Sequence, residues 1–376
     1  MRVLHISNDF AGSKVHSNLV KNLDLLGLEQ IVYCPVRDRG LIGNNQFRSE
    51  QTEFIYSYII KPWYKFFYHF KRNILYQDLK YKVNIENVDL IHAATLFSDG
   101  GLAYKAFKEY GIPYIVAIRN TDINSFAKLQ PHTWQSGRNI LLYAKTIVFI
   151  SKALQCEFEN LIFVKPIINK IRSKFVLQVN GIEKEWIDSV KRTPAVGKDV
   201  LYIGDFSSNK NVKRLIEAIK RLRLDKRYKD VNLTIIGGGK DKNNQTLNII
   251  NNNHEFVSYL GRIYDKNSIK NIMLNHALFA MPSIHETFGL VYIEALTQNL
   301  PVVYSKGQGI DGLFDDSVGI GVNPISVNEI KTAISVILSN QEKYSNDQIN
   351  FCAFSWNLIA KKYVRMYGEI MKKDLK

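Results

Sequence analysis

Residues 281–303 read MPSIHETFGLVYIEALTQNLPVV, and this stretch decides the fold. The apolar run HALFAMPS, which overlaps its start, predicts a buried strand. A helix is expected to begin at the turn Phe288-Gly289-Leu290 and to carry apolar side chains inward, and PVVYS after it predicts a second buried strand. A strand, a helix and a strand in this order are typical of a parallel sheet with helices packed against it.

The same alternation of short apolar runs and amphipathic stretches recurs along the 376-residue chain. A chain of this length predicts two domains, on a prior of roughly 150 residues each. The turn-forming pair Asn180-Gly181 follows the predicted strand KFVLQV and marks the expected boundary. We therefore expect an α/β protein with two Rossmann-like domains, 1–180 and 181–355, that face a central cleft. Residues 356–376 predict a long amphipathic helix with a basic outer face.

The cysteines and the N-terminus argue against several kinds of protein. Cys34, Cys156 and Cys352 lie far apart without C-x-x-C spacing, which argues against a zinc site or a disulfide framework and fits a reducing compartment. Residues 1–10 lack a basic segment followed by a long apolar one, and no window approaches the ~18 apolar residues of a membrane span. The sequence predicts a cytoplasmic protein, soluble or peripheral to a membrane.

The formal net charge of +15 is concentrated in two parts of the chain. Residues 1–180 contain 23 Lys and Arg against 14 Asp and Glu, and residues 356–376 contain 6 against 2. Phospholipid, nucleic acid and nucleotide are all possible anionic partners, and charge alone does not choose among them. Residues 61–82 interleave six cations with aromatic side chains, a pattern that suits an anionic membrane surface. A core-packing helix with a solvated basic face would give the same pattern.

Two glutamates flank the turn in the opening stretch. Gly289 lacks a Cβ, so a ligand can approach the backbone there, and the free N–H groups of a helix's first turn favour a phosphate. Glu286 precedes the helix and Glu294 lies inside it, roughly 12 Å away along the axis. Such a pair can hold two hydroxyl-bearing ends of one ligand with a diphosphate between them, which is the shape of a nucleotide sugar. Two ordinary glutamates on a solvated helix are the alternative.

The pattern P-S-x-x-E-T-F-G-L-x-x-x-E-A-L with P-V-V after it resembles glycosyltransferase family 4, the retaining glycosyltransferases of the GT-B fold. Four other stretches agree in the same order, and the resemblance is mainly architectural before residue 180. These stretches are Asn180-Gly181-Ile182, Tyr202-Ile203-Gly204 with Lys210-Asn211, LTIIGGG at 233–239 and VSYLG at 257–261. The resemblance implies a nucleotide-sugar-binding second domain, an acceptor-binding first domain and a last helix that packs back on the first domain.

The resemblance also implies a role for each matching residue. Glu294 would hydrogen-bond the ribose hydroxyls of the donor, and Glu286 would hold the hydroxyls of the transferred sugar. Lys210 would neutralise the leaving diphosphate, which stabilises charge in the transition state. Lys210 also fits a plain surface lysine, and Gly12 fits a plain tight turn. The remaining donor contacts that the resemblance implies are Phe288, Gly289, Leu290, Gly12, Gly237, Gly238 and His285.

The chain departs from the family pattern at two positions. The family usually has arginine where this chain has Asp205, so a second cation for the diphosphate must come from elsewhere or be absent. The family often has histidine after the strand that matches YIVAI, where this chain has Arg119. A guanidinium fork suits phosphate oxygens, so Arg119 is a candidate for the missing cation, and Asn120 and Asp122 would then face the sugar or the acceptor. An ion pair between Arg119 and Asp122 that only shapes the loop is the alternative.

Three histidines and one glycine-rich loop complete the candidates. His16, His92 and His285 are placed near the cleft, although each also fits a structural hydrogen-bonding role. His285 adjoins Glu286 and is the best placed of the three. Residues 305–312, SKGQGIDG, follow the strand PVVYS and are expected near the donor, or else form a flexible surface loop.

Other classes of protein fit less well. A dinucleotide-dependent dehydrogenase would show G-x-G-x-x-G after its first strand, where SNDFAGSKVHS has one glycine. A metal-dependent transferase would need D-x-D at a strand end. A nucleic-acid-binding protein would explain the charge, but no helix-turn-helix, zinc or RNP-like signature is present. A non-catalytic nucleotide-sugar-binding module stays open because of Asp205.

We therefore expect a retaining, metal-independent hexosyltransferase without a cofactor. Its donor is expected to be a nucleotide sugar, UDP-linked, and its acceptor a hydroxyl of a glycan or of a lipid-linked sugar in bacterial surface polysaccharide synthesis. The membrane surface is an expected partner through residues 61–82, at the inner leaflet of the cytoplasmic membrane, and nucleic acid is not.

Overall fold

The computed structural model describes residues 1–193, 197–239 and 244–374. The chain divides into two units, each built on a parallel β-sheet. The first unit comprises Met1–Ile150, Leu154–Gly181 and Ala353–Lys376, and the second comprises Ser151–Ala153 and Ile182–Cys352. The chain thus passes between the units one residue after the predicted boundary at 180, and returns three residues before the predicted start of the last segment.

The first unit contains a seven-stranded sheet. Its strands, in chain order, are β1 (Arg2–Ile6), β2 (Glu29–Val36), β3 (Thr52–Tyr58), β4 (Leu90–Ala93), β5 (Tyr114–Ala117), β6 (Thr146–Phe149) and β7 (Phe175–Leu177). Their spatial order is β3-β2-β1-β4-β5-β6-β7, and all pairs are parallel. Every residue of β4, β5 and β6 is buried, which explains why the sequence shows continuous apolar runs there rather than alternation.

The second unit contains a six-stranded sheet. Its strands are β8 (Val200–Gly204), β9 (Leu233–Gly237), β10 (Val257–Tyr259), β11 (Leu278–Ala280), β12 (Val302–Ser305) and β13 (Gly319–Val322). Their spatial order is β10-β9-β8-β11-β12-β13, again parallel throughout. The predicted α/β class with two Rossmann-like sheets is confirmed.

Helices connect the strands in both units. They are α1 (Lys14–Asp24), α2 (Tyr68–Lys82), α3 (Ser98–Tyr110), α4 (Trp134–Tyr143), α5 (Lys152–Glu159), α6 (Ile168–Ile171), α7 (Lys184–Ile187), α8 (Val212–Leu222), α9 (Gln245–Asn251), α10 (Lys266–Leu274), α11 (Leu290–Thr297), α12 (Val327–Ser339) and α13 (Trp356–Asp374). Over the ranges the structure describes, none of these helices has the length and apolarity that crossing a membrane requires.

The last helix, α13, completes the core of the first unit. Ile359, Ala360 and Tyr367 on α13 are fully buried against Val3 of β1 and Leu23 of α1. The buried ring of Trp356 at the start of α13 lies against Gly181, where a Cβ would stand 2.6 Å from the indole. Any side chain at Gly181 would therefore force the indole of Trp356 to move.

The strand order reverses once in each sheet. In the first, β1 pairs with both β2 and β4, and in the second, β8 pairs with both β9 and β11. The loops that leave the carboxyl ends of these central strands diverge to opposite faces. In open parallel sheets, ligands bind in the crevice that this divergence creates.

Candidate functional site

Glu286 lies at the carboxyl edge of the second sheet, between β11 and α11. Its carboxylate has two partners: Oε2 accepts from Lys210 Nζ at 2.6 Å, and Oε1 accepts from the Thr287 backbone N–H at 3.1 Å. Both side chains of the ion pair are largely shielded, with 22% of Lys210 and 13% of Glu286 exposed. The lysine follows β8 and the glutamate follows β11, so the pair forms where the strand order reverses.

Asn209 holds the segment before Glu286. Its side chain accepts from the His285 N–H at 2.9 Å and donates to the His285 carbonyl at 2.7 Å. Its own carbonyl accepts from the Ile284 N–H at 2.8 Å. Asn209 thus couples the loop after β8 to the loop after β11. The sequence did not predict this role, and the only pointer to Asn209 in the sequence is its position directly before Lys210.

His285 has an unsatisfied side chain. Its Nδ1 is buried and has no hydrogen-bond partner among the described residues. A buried polar atom without a partner costs free energy, so ligand or water at this place would be favoured. The prediction that His285 contacts the donor stays a prediction.

The glycine-rich loop at 305–312 binds the backbone of Glu286. Gln308 Oε1 accepts from the Glu286 N–H at 3.0 Å, and the Gly309 N–H donates to the Glu286 carbonyl at 2.8 Å. Gly309 has φ of 56°, and a Cβ there would lie 3.0 Å from Glu286 Cγ. The loop therefore fixes Glu286, and only glycine fits against it. The sequence indicated this loop but not the role of Gln308.

Gly289 forms the cap that starts α11. Its φ is 76°, and a Cβ would lie 2.5 Å from the ring of Tyr292. The backbone N–H groups of Gly289 and Leu290 donate to no acceptor among the described residues. Phe288 is buried, with 2% exposed. The start of α11 thus combines unused donors with an open backbone, as a phosphate or a sugar hydroxyl requires.

Gly237, the last residue of β9, and Gly238 directly after it lie close to the backbone of β8. Gly237 has φ of 131°, and a Cβ on it would lie 1.8 Å from the Gly204 carbonyl. The Gly238 N–H donates to that same carbonyl at 3.2 Å, and Arg262 donates to the Gly238 carbonyl at 3.1 Å. Packing within the sheet thus accounts for these glycines, and their predicted contact with the donor stays a prediction.

Glu294 lies on α11 and makes no side-chain hydrogen bond or ion pair within the described residues. Burial raises its pKa to about 7, against the opposing effect of the Lys266 ammonium. Lys266 itself contacts Glu183 and Glu185. A half-protonated, unpartnered carboxyl group is a good acceptor for ligand hydroxyls once it ionises.

Asp205, the departure from the family pattern, shapes a turn. Its Oδ1 accepts from the Ser207 N–H at 2.9 Å, and its carbonyl accepts from Tyr202 Oη at 2.7 Å. The carboxylate thus organises the loop that leads to Lys210. Over the described ranges, no group of three His, Cys, Asp or Glu side chains is arranged to hold a metal ion.

The remaining predicted residues lie in the first unit. Gly12 is exposed at the end of a short 3-10 helix, Phe10–Gly12, and its N–H donates to the Asp9 carbonyl at 3.0 Å. Asn120 accepts from the side chain of Asn124. His92 is buried beneath α13, where Nδ1 lies 2.7 Å from Tyr367 Oη.

Asp122 is turned into the fold. Its carboxylate accepts from the N–H groups of Leu96 and Phe97 at 3.1 Å and of Arg119 at 2.9 Å, and burial raises its pKa to about 6. The hydrogen bond between Arg119 and Asp122 therefore comes from the Arg119 backbone N–H. The Arg119 side chain instead donates through Nε to the Ala94 carbonyl at 3.2 Å.

Comparison with known proteins agrees with this geometry. Residues 184–350 match the family model described as glycosyl transferases group 1. The chain is 24% identical over 314 residues to an uncharacterized glycosyltransferase of Methanocaldococcus jannaschii, MJ1178, covering 80% of this chain and 82% of that protein. It is 25% identical over 265 residues to the putative teichuronic acid biosynthesis glycosyltransferase TuaC of Bacillus subtilis, covering 69% of this chain and 62% of that protein.

A solved structure shares the architecture of the whole chain. The crystal structure of Anabaena Alr3699/HepE in complex with UDP superimposes with a TM-score of 0.70 at 17% identity, covering 98% of this chain and 100% of that one. At this identity the likeness concerns the fold. The chain is therefore a glycosyltransferase of the GT-B fold, and its residues 184–350 match the family model of glycosyl transferases group 1.

Proposed function

We propose that the protein transfers a hexose from a UDP-linked sugar to a hydroxyl of a glycan or lipid-linked acceptor, with retention and without a metal ion. The observation that carries the proposal is the Lys210–Glu286 pair, held at the carboxyl edge of the second sheet beside the unused N–H groups of α11. The relative with bound UDP and the relative named for teichuronic acid synthesis support the choice of nucleotide and of surface polysaccharide.

Each residue of the site has a distinct task in this proposal. Glu286 orients hydroxyls of the transferred sugar, because Gln308 and Gly309 fix its backbone and Asn209 fixes that of the preceding residue, His285. Lys210 places a positive charge where the diphosphate leaves, and the first turn of α11 adds backbone donors. Glu294 accepts from the ribose hydroxyls. No protein nucleophile is assigned; the departing diphosphate accepts the proton of the attacking hydroxyl.

We also propose that the first unit contacts an anionic membrane surface through residues 61–82. Trp63, Phe67 and Phe70 are 44%, 57% and 47% exposed and form one cluster, with ring centroids of Trp63 5.9 and 5.5 Å from those of Phe67 and Phe70. Exposed aromatic rings of this kind suit the membrane interface. The cations of α2 contribute less than the sequence suggested, since Lys80 pairs with Glu109 and Lys82 with Asp78.

Calorimetric titration of the protein with UDP, GDP, dTDP and NAD, in the presence of a chelator, tests the proposal. We expect selective binding of UDP, and we expect Lys210→Ala to weaken it by about 10- to 100-fold, because a hydrogen bond to a charged group is worth roughly 1.5–3 kcal/mol. Lys213→Ala is the matched control, since Lys213 lies on α8 and its ammonium contacts Gln245 instead. An unchanged affinity in Lys210→Ala would contradict the assignment.

Product analysis separates transfer from mere binding. Hydrolysis or transfer with UDP-glucose, followed by proton NMR of the anomeric signal, is expected to show retention. UDP binding without turnover of any UDP-hexose would favour the non-catalytic module that Asp205 leaves open. Binding of nucleic acid in place of nucleotide would overturn the function altogether.

A further inference from the structure

Three cations gather at the carboxyl edge of the first sheet. Arg37 directly follows β2, Arg119 follows β5, and Lys71 lies on α2. Arg119 shares a carboxylate with each of the other two cations: it acts on Asp9 together with Arg37, and on Asp99 together with Lys71. This edge is also where the order of the sheet reverses, between β1 and β4, and hence where an open parallel sheet binds its ligand.

Arg119 presents a guanidinium that is fixed and only partly used. Its Nε donates to the Ala94 carbonyl at 3.2 Å, and its backbone N–H donates to Asp122. The two terminal nitrogens make no hydrogen bond and no ion pair with any residue in the described ranges. A planar fork held through one nitrogen, with the other two unused, is the arrangement that accepts two oxygens of a phosphoryl group.

The three nearby carboxylates, Asp9, Asp99 and Asp122, balance these charges only in part, and burial raises the pKa of Asp9 as well as the pKa values of the other two. Asp122 is occupied by three backbone N–H groups, and Asp99 accepts from Thr95 Oγ1 at 2.9 Å and from the Asn8 N–H at 3.2 Å. Burial raises the pKa of Asp99 to about 7, so part of its charge is absent at neutral pH. The Lys71 ammonium makes no hydrogen bond within the part of the chain that the structure describes. The cluster therefore has spare positive charge.

Two buried polar atoms without partners line a cavity that reaches Ala94, the residue whose carbonyl holds the Arg119 side chain. His5 Nε2 and Ser7 Oγ are buried and have no hydrogen-bond partner among the described residues, and the side chains are 4% and 2% exposed. Both line a small cavity that also includes His16 and His92. Burial lowers the pKa of His5 to about 4 and that of His16 to about 3, so these rings are neutral hydrogen-bonding groups beside Arg119.

We propose that Arg119, Lys71 and Arg37 form a phosphoryl-binding site in the first unit, and that the acceptor substrate carries a phosphate or diphosphate group bound there. The proposal rests on the proposed function, since it names the class of acceptor. It assigns Arg119 to the acceptor, in place of the donor diphosphate that the sequence suggested. The phosphoryl group belongs either to a soluble sugar phosphate or to the headgroup of a lipid-linked acceptor.

The test is calorimetric titration of the full chain with inorganic phosphate in the presence of saturating UDP, which occupies the donor site. We expect saturable phosphate binding that Arg119→Gln weakens at least tenfold and Arg119→Lys weakens less. Arg138→Gln is the matched control, because Arg138 also donates through Nε to a backbone carbonyl of the same unit, that of Phe163, at 2.9 Å. Lys71→Gln is expected to weaken phosphate binding as well.

Other outcomes would overturn the proposal. Absence of phosphate binding, or equal affinity in Arg119→Gln and the unchanged protein, excludes the site. Loss of UDP affinity in Arg119→Gln with phosphate binding intact assigns Arg119 to the donor instead. If the protein fails to bind UDP at all, the proposed function fails on its own account, and titration of the Lys210→Gln variant with phosphate still tests this site.

A second arm identifies the source of the phosphoryl group. Sedimentation with phosphatidylglycerol vesicles is compared between the unchanged protein and Arg119→Gln. If Arg119→Gln loses vesicle binding together with phosphate binding, the site takes a lipid headgroup. If it loses phosphate binding alone, the site takes a soluble phosphate. Both results support the phosphoryl site.

Discussion

At the scale of single residues, the central feature is Glu286, whose carboxylate and backbone both have partners that hold them. Lys210 and the Thr287 N–H hold its carboxylate, and Gln308 and Gly309 hold its backbone. A side chain fixed in this way loses little conformational entropy when a ligand arrives, which favours tight and selective binding. The ion pair also fixes the position of the Lys210 ammonium, which the proposed function places beside the donor diphosphate.

The proposed contact between Glu294 and the ribose would make the affinity for nucleotide depend on pH. Its pKa in the free protein is raised to about 7 by burial, and ribose hydroxyls donate to the ionised form, so binding must release the proton. We expect UDP to bind about tenfold more tightly at pH 8 than at pH 6 through this group, since the ionised fraction rises through the raised pKa. Calorimetry across this range measures the effect.

The control for this prediction is Glu294→Gln. The diphosphate of UDP itself titrates, with a second phosphate pKa near 6, so the unchanged protein alone is not decisive. At each pH, the ratio of the UDP affinity of the unchanged protein to that of Glu294→Gln isolates the contribution of Glu294. A ratio that stays constant from pH 6 to pH 8 would show that this carboxyl group does not bind the nucleotide.

At the scale of secondary structure elements, α2 and the turn before it present an aromatic cluster to solvent. We expect the triple substitution Trp63→Ala, Phe67→Ala and Phe70→Ala to reduce sedimentation with phosphatidylglycerol vesicles by tenfold or more, because burial of these rings at the interface is lost. Added salt should have a modest effect, since Lys80 and Lys82 are already paired within the protein.

Tyr81→Ala is the matched control for the aromatic cluster. Tyr81 is 89% exposed and lies on the same helix, away from the other three rings. Equal loss of vesicle binding in the control and in the triple variant would mean that any exposed ring contributes and that the cluster is not a specific contact surface.

The elements themselves were largely predictable from the sequence. Buried parallel strands such as β5 and β6 read as apolar runs, and the turn at Gly289 marked the start of α11. The contacts that bring distant loops together were not predictable. Asn209 and Gln308 both bind the backbone around Glu286, and nothing in the local pattern of either residue shows that partner.

The roles of charged residues were the least predictable, because each role depends on the hydrogen-bond or ion-pair partner that the folded chain brings to the residue. The sequence predicted that Lys80 and Lys82 contact an anionic membrane surface, with a solvated basic face as the alternative, whereas Glu109 and Asp78 pair with them. Asp122 fits a ligand-facing residue by its position after β5, whereas three backbone N–H groups surround its carboxylate. Such partners come from tertiary structure and leave no spacing signal.

At the scale of the whole molecule, the chain leaves the first unit at Gly181 and rejoins it at Ala353. We expect Gly181→Ala to lower the free energy of unfolding by roughly 1–3 kcal/mol, because the added methyl group would stand 2.6 Å from the ring of Trp356 and force it to move. Urea denaturation followed by tryptophan fluorescence measures the change.

Gly368→Ala is the matched control on α13. A Cβ at Gly368 meets no heavy atom within 4 Å, and alanine favours a helix interior over glycine by roughly 0.5–1 kcal/mol. This variant should therefore be as stable as the unchanged protein or slightly more so. Destabilisation by both substitutions would locate the sensitivity in α13 as a whole rather than in the contact between Gly181 and Trp356.

The second unit is inserted into the first, and the contact between Gly181 and Trp356 keeps the two junctions of the insertion close together. Its two ends attach to the first unit at neighbouring points, so a different folded segment could in principle be joined there without stretching the host. Closely spaced termini are what tolerate domain insertion. Grafting the equivalent segment of another GT-B glycosyltransferase between Gly181 and Ala353 would exchange the second unit while the first unit keeps its core. Such a junction offers a route by which recombination could combine the first unit with second units from other proteins.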